Sequence, residues 1–123
     1  MATILIAEDD SDACEVLNVL LTTAGHDVVT ADAGNMALMQ ASVLQPDLIL
    51  LDINMPELDG FEVLERLKND SETTEIPVVV VSARDDFDDI ARGLALGAAD
   101  FITKPYTGED IINAVRANVG IGA

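Results

Sequence analysis

The chain has 123 residues, half of them apolar, with 23 Asp and Glu against six Lys and Arg and a formal charge of −17. That length suits one domain with a continuous core, and so acidic a surface repels phosphate backbones and anionic lipid, which excludes direct nucleic-acid and membrane-surface binding. One cysteine, Cys14, excludes an internal disulfide, and neither an apolar leader nor a run near the ~18 residues of a membrane span is present, so a reducing cytoplasm is the expected location.

Strand and helix signals alternate along the chain. Thr3 to Ala7 is an apolar strand running into Glu8-Asp9-Asp10. Asp9 or Asp10 can cap a helix from about Ser11 to Ala24, stopped by Gly25, with Ala13, Val16, Leu17, Leu20, Leu21 and Ala24 spaced to pack as one stripe. Val28 to Thr30 is a short second strand. Gly34 to Leu44 reads as a second helix, ended at Gln45-Pro46 because the residue before proline resists helical angles. Its Met36 and Met39, at helical spacing, are expected to fill the core or its edge.

Leu48 to Leu51 is a third strand, running into Asp52 and a loop to Gly60 that carries the turn signals Met55-Pro56 and Asp59-Gly60. Phe61, Leu64 and Leu67 mark a third helix. Val78 to Val81 is so uniformly apolar that both faces of this fourth strand must be covered, and it ends at Ser82. Phe87, Ile90, Ala91 and Leu94 give a fourth helix stopped near Gly97. Asp100 to Thr103 is a fifth strand ending at Lys104-Pro105, and Ile111, Ile112, Val115 and Val119 mark a fifth helix.

Five βα units with buried strands predict an α/β fold, a single doubly wound (βα)5 domain over residues 1–123. Its parallel sheet takes the flavodoxin-like order 2-1-3-4-5. In that order ligands sit at the carboxyl ends of the strands, where the first and third adjoin. Glu8, Asp9 and Asp52 fall on that crevice.

Two carboxylates about 4 Å apart repel by roughly 4 kcal/mol at an effective dielectric of about 20. Three therefore call in a proton or a cation, and a small oxygen-only site with room for water suits Mg2+. Asp9 and Asp52 are the best direct ligands, with Glu8 acting directly or through water and a backbone carbonyl of the following loop completing the set. Beside a divalent ion, Asp52 can attack phosphorus and form an aspartyl phosphate. Phosphoryl transfer needs its three equatorial oxygens held. The ion takes one, the Lys104 ammonium a second, and the Ser82 hydroxyl with nearby backbone N–H groups the third.

These pieces together resemble the receiver domain of two-component response regulators, over the whole chain. They are the Ile4-to-Asp9 strand with its acid pair, the segment Leu50-Leu51-Asp52-Ile53-Asn54-Met55-Pro56-Glu57-Leu58-Asp59-Gly60, Ser82-Ala83, and Lys104-Pro105-Tyr106. The resemblance implies a phosphoacceptor domain, not an enzyme, that assists only its own phosphorylation and dephosphorylation. Asp52 takes the phosphoryl group from a phosphohistidine of a histidine kinase or histidine phosphotransfer protein. Mg2+ is held by Glu8, Asp9, Asp52 and the Asn54 backbone carbonyl, and Lys104-Pro105 carries a cis peptide.

The resemblance further implies that Ser82 and Phe101 form a switch acting on a downstream protein through helix 4, strand 5 and helix 5. Relatives more often carry Tyr or His in place of Phe101, which without a hydroxyl should favour an inward, buried state. Asn54 and Arg84 flank the route of water to the acyl phosphate and tune its lifetime, and the small Ala83 leaves that route open. Pathway and target stay open, as does whether the chain stands alone. Helices 4 and 5 carry few bases beyond Arg92 and Arg116, which favours the stand-alone reading.

Plainer readings cover other residues. Asp10 and Asp12 suit helix capping, Asp85-Asp86-Phe87-Asp88-Asp89 a capped, solvated helix start, and Cys14 inert packing. His26 is lone and has no chemical partner in sequence, and Asp9-Asp10-Ser11-Asp12 fails as a calcium loop because Cys14 stands where glycine is needed. The rival function is a small Mg2+-dependent phosphatase or phosphotransferase of haloacid dehalogenase type. That chemistry needs a second acid two residues after the nucleophile, where this chain has Asn54. A flavodoxin-like electron carrier would need a Ser/Thr/Gly-rich loop where Glu8-Asp9-Asp10 stands.

Overall fold

Ten elements alternate without exception in the computed structural model, which describes residues 2–55 and 59–119. They are β1 (Thr3–Ala7), α1 (Ser11–Thr23), β2 (Asp27–Ala31), α2 (Gly34–Leu44), β3 (Leu48–Leu51), α3 (Gly60–Asn69), β4 (Val78–Ser82), α4 (Phe87–Ala95), β5 (Asp100–Thr103) and α5 (Gly108–Val119). The strands are all parallel in the order β2-β1-β3-β4-β5, the predicted topology.

Side chains of a strand point alternately to the two faces, so each apolar run feeds two cores. Leu5, Ala7, Ile49, Leu51, Val78 and Val80 join Ala37 and Ala41 of α2 and Phe61, Val63, Leu64 and Leu67 of α3. Ile4, Ile6, Leu48, Leu50, Val79 and Val81 join Leu17 and Leu21 of α1 and Ile111, Ala114 and Val115 of α5. Every residue of β3 and β4 is buried, as their continuous apolar runs require.

Register positions the site. Ala7 pairs with Ala31 and Leu51, and Leu51 with Val80, so β1, β3 and β4 finish on one rim. Asp10, rather than Asp9, caps α1 by accepting the N–H groups of Asp12 and Ala13, which leaves Asp9 to the rim. Asp86 caps α4 by accepting from Asp89 N–H. Gly25 and Gly97, at φ 97° and 111°, turn the chain after α1 and α4.

Three helical faces differ from expectation. On α1 only Leu17 and Leu21 are fully buried, and Val16 is exposed, because it sits about 100° round the helix from Leu17. Ala24 is also exposed, since it caps the helix past its last turn. On α2 the buried line is Gly34, Ala37 and Ala41; these small residues bring the helix close to the sheet, and Met36 and Met39 are exposed on the opposite side instead of filling the core. On α4 only Gly93 is buried, and Phe87, Ala91 and Leu94 face solvent. His26 has a local structural partner, its Nδ1 accepting the Ala2 N–H at 3.2 Å. Cys14 packs half-buried against the second core, and burial first, then the charges of Glu8 and Glu15, push its thiol pKa up, away from reactivity.

Candidate functional site at the strand ends

The hydrogen-bond ladder of the sheet continues one residue past three strand ends, and those residues build the site. Glu8 donates its N–H to Ala31 O at 2.9 Å, Asp52 to Ala7 O at 2.9 Å, and Lys104 to Ser82 O at 2.8 Å. Their backbones are therefore as fixed as the strands themselves. Glu8 and Asp52 are buried, 4% and 7% exposed, while Asp9 is open to solvent. One carboxylate oxygen from each of the three lies within 4.8 Å of the other two.

Lys104 reaches into this group from the end of β5. Its Nζ donates to Glu8 Oε1 at 3.0 Å and stands 3.4 Å from Asp52 Oδ2. Burial pushes the Glu8 carboxyl up, helped by its hydrogen bond and charge contact with Asp52 and opposed by Lys104, to a pKa of about 7. Burial alone would lower the Lys104 ammonium, but Glu8 and Asp52 outweigh it and raise its pKa. One ammonium cannot neutralise three carboxylates. The donors are all hard oxygens, two buried and one open to water, and that set fits a small divalent cation.

A second tier surrounds Asp52. Asp52 Oδ1 accepts the Asn54 N–H at 2.8 Å. Asn54 Nδ2 stands 3.5 Å from the Oγ of Ser82, which is wholly buried and accepts the Arg84 N–H at 3.1 Å. Arg84 Nε closes the circuit by donating to Asn54 Oδ1 at 2.8 Å. Ala83 between them is exposed. The fold thus brings Glu8, Asp9, Asp52, Asn54, Ser82, Arg84 and Lys104 together from the ends of four strands.

Phe101 lies apart from that rim. It is half-buried at the edge of the first core, and an added Cβ on Gly93 would meet its Cδ2 at 2.9 Å. Its ring therefore occupies the space that glycine leaves on α4. Arg92 on the same helix stacks its guanidinium 4.2 Å from the Phe61 ring centre, with Arg84 at 5.5 Å. Sequence reasoning missed the Arg84–Asn54 bond, the Gly93–Phe101 contact and this arginine stacking. Each joins residues whose nearness only the folded chain creates. The Lys104–Pro105 peptide is cis.

A family model described as the response regulator receiver domain matches residues 4–116. The chain belongs to the receiver-domain family of response regulators. It is 40% identical over 117 residues to the DNA-binding dual master transcriptional regulator RpaA of Synechocystis, covering 95% of this chain and 48% of that protein. The receiver thus spans about half the length of that relative. Among solved structures, a response regulator of Chloroflexus aurantiacus superposes with a TM-score of 0.91 at 29% identity, over 96% of this chain and 97% of that one. The Mn2+-bound response regulator Rcp1 gives a TM-score of 0.78 at 29% identity, over 95% and 91%. The family assignment displaces the haloacid dehalogenase alternative, whose second acid is replaced by Asn54.

Proposed function

We propose that Asp52 is the phosphoacceptor of this receiver, and that residues 1–123 form one receiver domain working in a bacterial cytoplasm. The donor is a phosphohistidine on a histidine kinase or histidine phosphotransfer protein. A carboxylate oxygen of Asp52 forms the new P–O bond while the P–N bond breaks, and the imidazole nitrogen leaves with the electron pair. The observation that carries this reading is Lys104, whose ammonium spans Glu8 at 3.0 Å and Asp52 at 3.4 Å on the sheet rim. It is near enough to Asp52 to pair with an oxygen of the incoming group.

Glu8, Asp9, Asp52 and the Asn54 backbone carbonyl would hold Mg2+, which supplies charge neutralisation for the approach of one anion to another. The Mn2+ bound in Rcp1 supports a divalent site in such a fold. The Ser82 hydroxyl and the N–H groups beside it take a further phosphoryl oxygen. Asn54 and Arg84, already bonded to each other, flank the entry of water. Ser82 and Phe101 carry the change to the α4, β5 and α5 face, where a downstream protein reads it. The domain signals rather than catalyses, and no direct contact with nucleic acid or membrane is proposed; no described helix is long and apolar enough to cross a membrane.

The test is intact-mass spectrometry after incubation with acetyl phosphate and Mg2+. A labile adduct of about 80 Da, the mass of PO3H, is expected on the native chain and absent with chelator or in Asp52→Asn. An undiminished adduct in that variant removes Asp52 from the role.

A further inference from the structure

Helix α2 presents an apolar surface that neither core uses. Met36, Met39, Val43 and Leu44 are 40%, 60%, 74% and 48% exposed. Of the five described helices α2 alone carries no charged side chain. A solvent-facing helix without charges needs cover, and apolar surface gathered on one face marks an interaction site. Met36, Met39 and Val43 recur at i, i+3 and i+7, the spacing with which one helix meets another along a seam. Two of the three are methionines, whose flexible thioethers adapt to a partner's side chains.

Charge selects the partner. All six Lys and Arg of the chain lie at Arg66 or later, so β1, α1, β2, α2 and β3 contain none. These elements form the β2 end of the molecule. The charged groups nearest α2 in the chain are Asp32 before it and Asp47 after it, and the Glu72 carboxylate stands 3.5 Å from Ser42 Oγ. The charged groups that flank α2 in the chain, and the Glu72 carboxylate that meets it at Ser42, are therefore acids. A second copy is a poor occupant, because it would set like charges against each other. A helix of this length, about 16 Å, also offers far less than the roughly 800 Å2 per partner of a standard interface.

We infer that α2 is a docking site for a single amphipathic helix of another protein or domain, with an apolar stripe bordered by Lys and Arg. The apolar stripe covers Met36, Met39 and Val43 while the flanking bases meet the acidic border. Met36, Met39 and Val43 are not among the residues of the phosphoacceptor site, so the inference does not depend on Asp52 being the acceptor.

The test is an NMR titration of the full 15N-labelled chain with a peptide of about 18 residues made of Leu and Lys. Its leucines form one helical stripe, and a second peptide of identical composition has that stripe scrambled. The striped peptide is expected to shift the amides of 35–45 and to bind about tenfold more tightly than the scrambled one. The double variant Met39→Gln, Val43→Gln, which changes exposed positions and no charge, is expected to lose about the same factor. Equal binding of the two peptides, or shifts centred on the Asp52 rim or spread over the acids, overturns the inference. So does a native chain that sediments as a dimer through α2, the dimer being lost in the double variant.

Discussion

The two halves of this chain divide the work by charge. Up to Glu65 it contains no Lys or Arg, and from Arg66 onward it contains all six. The first half supplies Glu8, Asp9 and Asp52; the second supplies Ser82, Arg84 and Lys104. The site lies on the boundary between them, where β3 of the first half pairs with β4 of the second. Other bases of the second half have their own partners: Arg66 pairs with Glu62, Lys68 donates to the carbonyls of Thr74 and Ile76, and Arg92 stacks on Phe61. Among the described residues only Lys104 reaches the rim acids. The acids are thus concentrated beyond what the protein itself neutralises, which is the condition for binding a cation and then an anion.

The largest break in this arrangement is Lys104→Met. It removes the sole ammonium at the rim, and phosphoryl uptake from acetyl phosphate should slow about 100-fold, measured as adduct formed over time. An unchanged rate would mean that the second half contributes no charge to the reaction.

Next in size is the pH dependence of stability in the absence of divalent cations. The Glu8 carboxyl is raised in the folded state from its ordinary 4.5 to about 7, chiefly by burial and then by Asp52. The folded protein therefore holds this proton more tightly than the unfolded chain does. The resulting stabilisation is complete below the unfolded value and is lost as pH rises towards about 7. The loss should be on the order of 2–3 kcal/mol across that window. Millimolar Mg2+ should flatten it, because a cation favours the ionised form. Urea midpoints measured across the window with and without Mg2+ check both statements.

Gly93→Ala addresses the packing of the second half on the first, where Phe101 meets the first core. A methyl group 2.9 Å from Phe101 Cδ2 must displace the ring, at a cost of about 1–2 kcal/mol. Aromatic NOEs between Phe101 and the first core should weaken, while the raised Glu8 pKa stays at about 7. The smallest effect is that of Arg84→Ala, which removes the bond to Asn54 Oδ1. The phosphoryl group should be lost about threefold faster, the size expected from one net hydrogen bond.

Sequence revealed the strands and their ends well, because an uninterrupted apolar run meeting an acid, a serine or a lysine leaves little choice of boundary. The βα alternation implies a parallel sheet, and 2-1-3-4-5 is, among the doubly wound orders, the one expected at this size. The faces of the helices were less legible. Periodicity in α2 points equally to a line of alanines or a line of methionines, and the sheet accepts the smaller residues because they allow closer approach. Likewise α4 turns Gly93 inward and leaves Phe87 in water. The links from Asn54 N–H to Asp52 and from Arg84 N–H to Ser82 are local, but the bond that joins the two pairs had no local signature, since Asn54 and Arg84 stand 30 residues apart.

The buried carboxylate of Asp52, and not its neighbours, is proposed to receive the phosphoryl group. Borohydride reduces an acyl phosphate of aspartate to homoserine, so the phosphorylated chain can be trapped, digested and sequenced by mass spectrometry. Homoserine is expected at position 52 alone. Reduction at Glu8 or Asp9, or a phosphoryl group retained on His26, would contradict it.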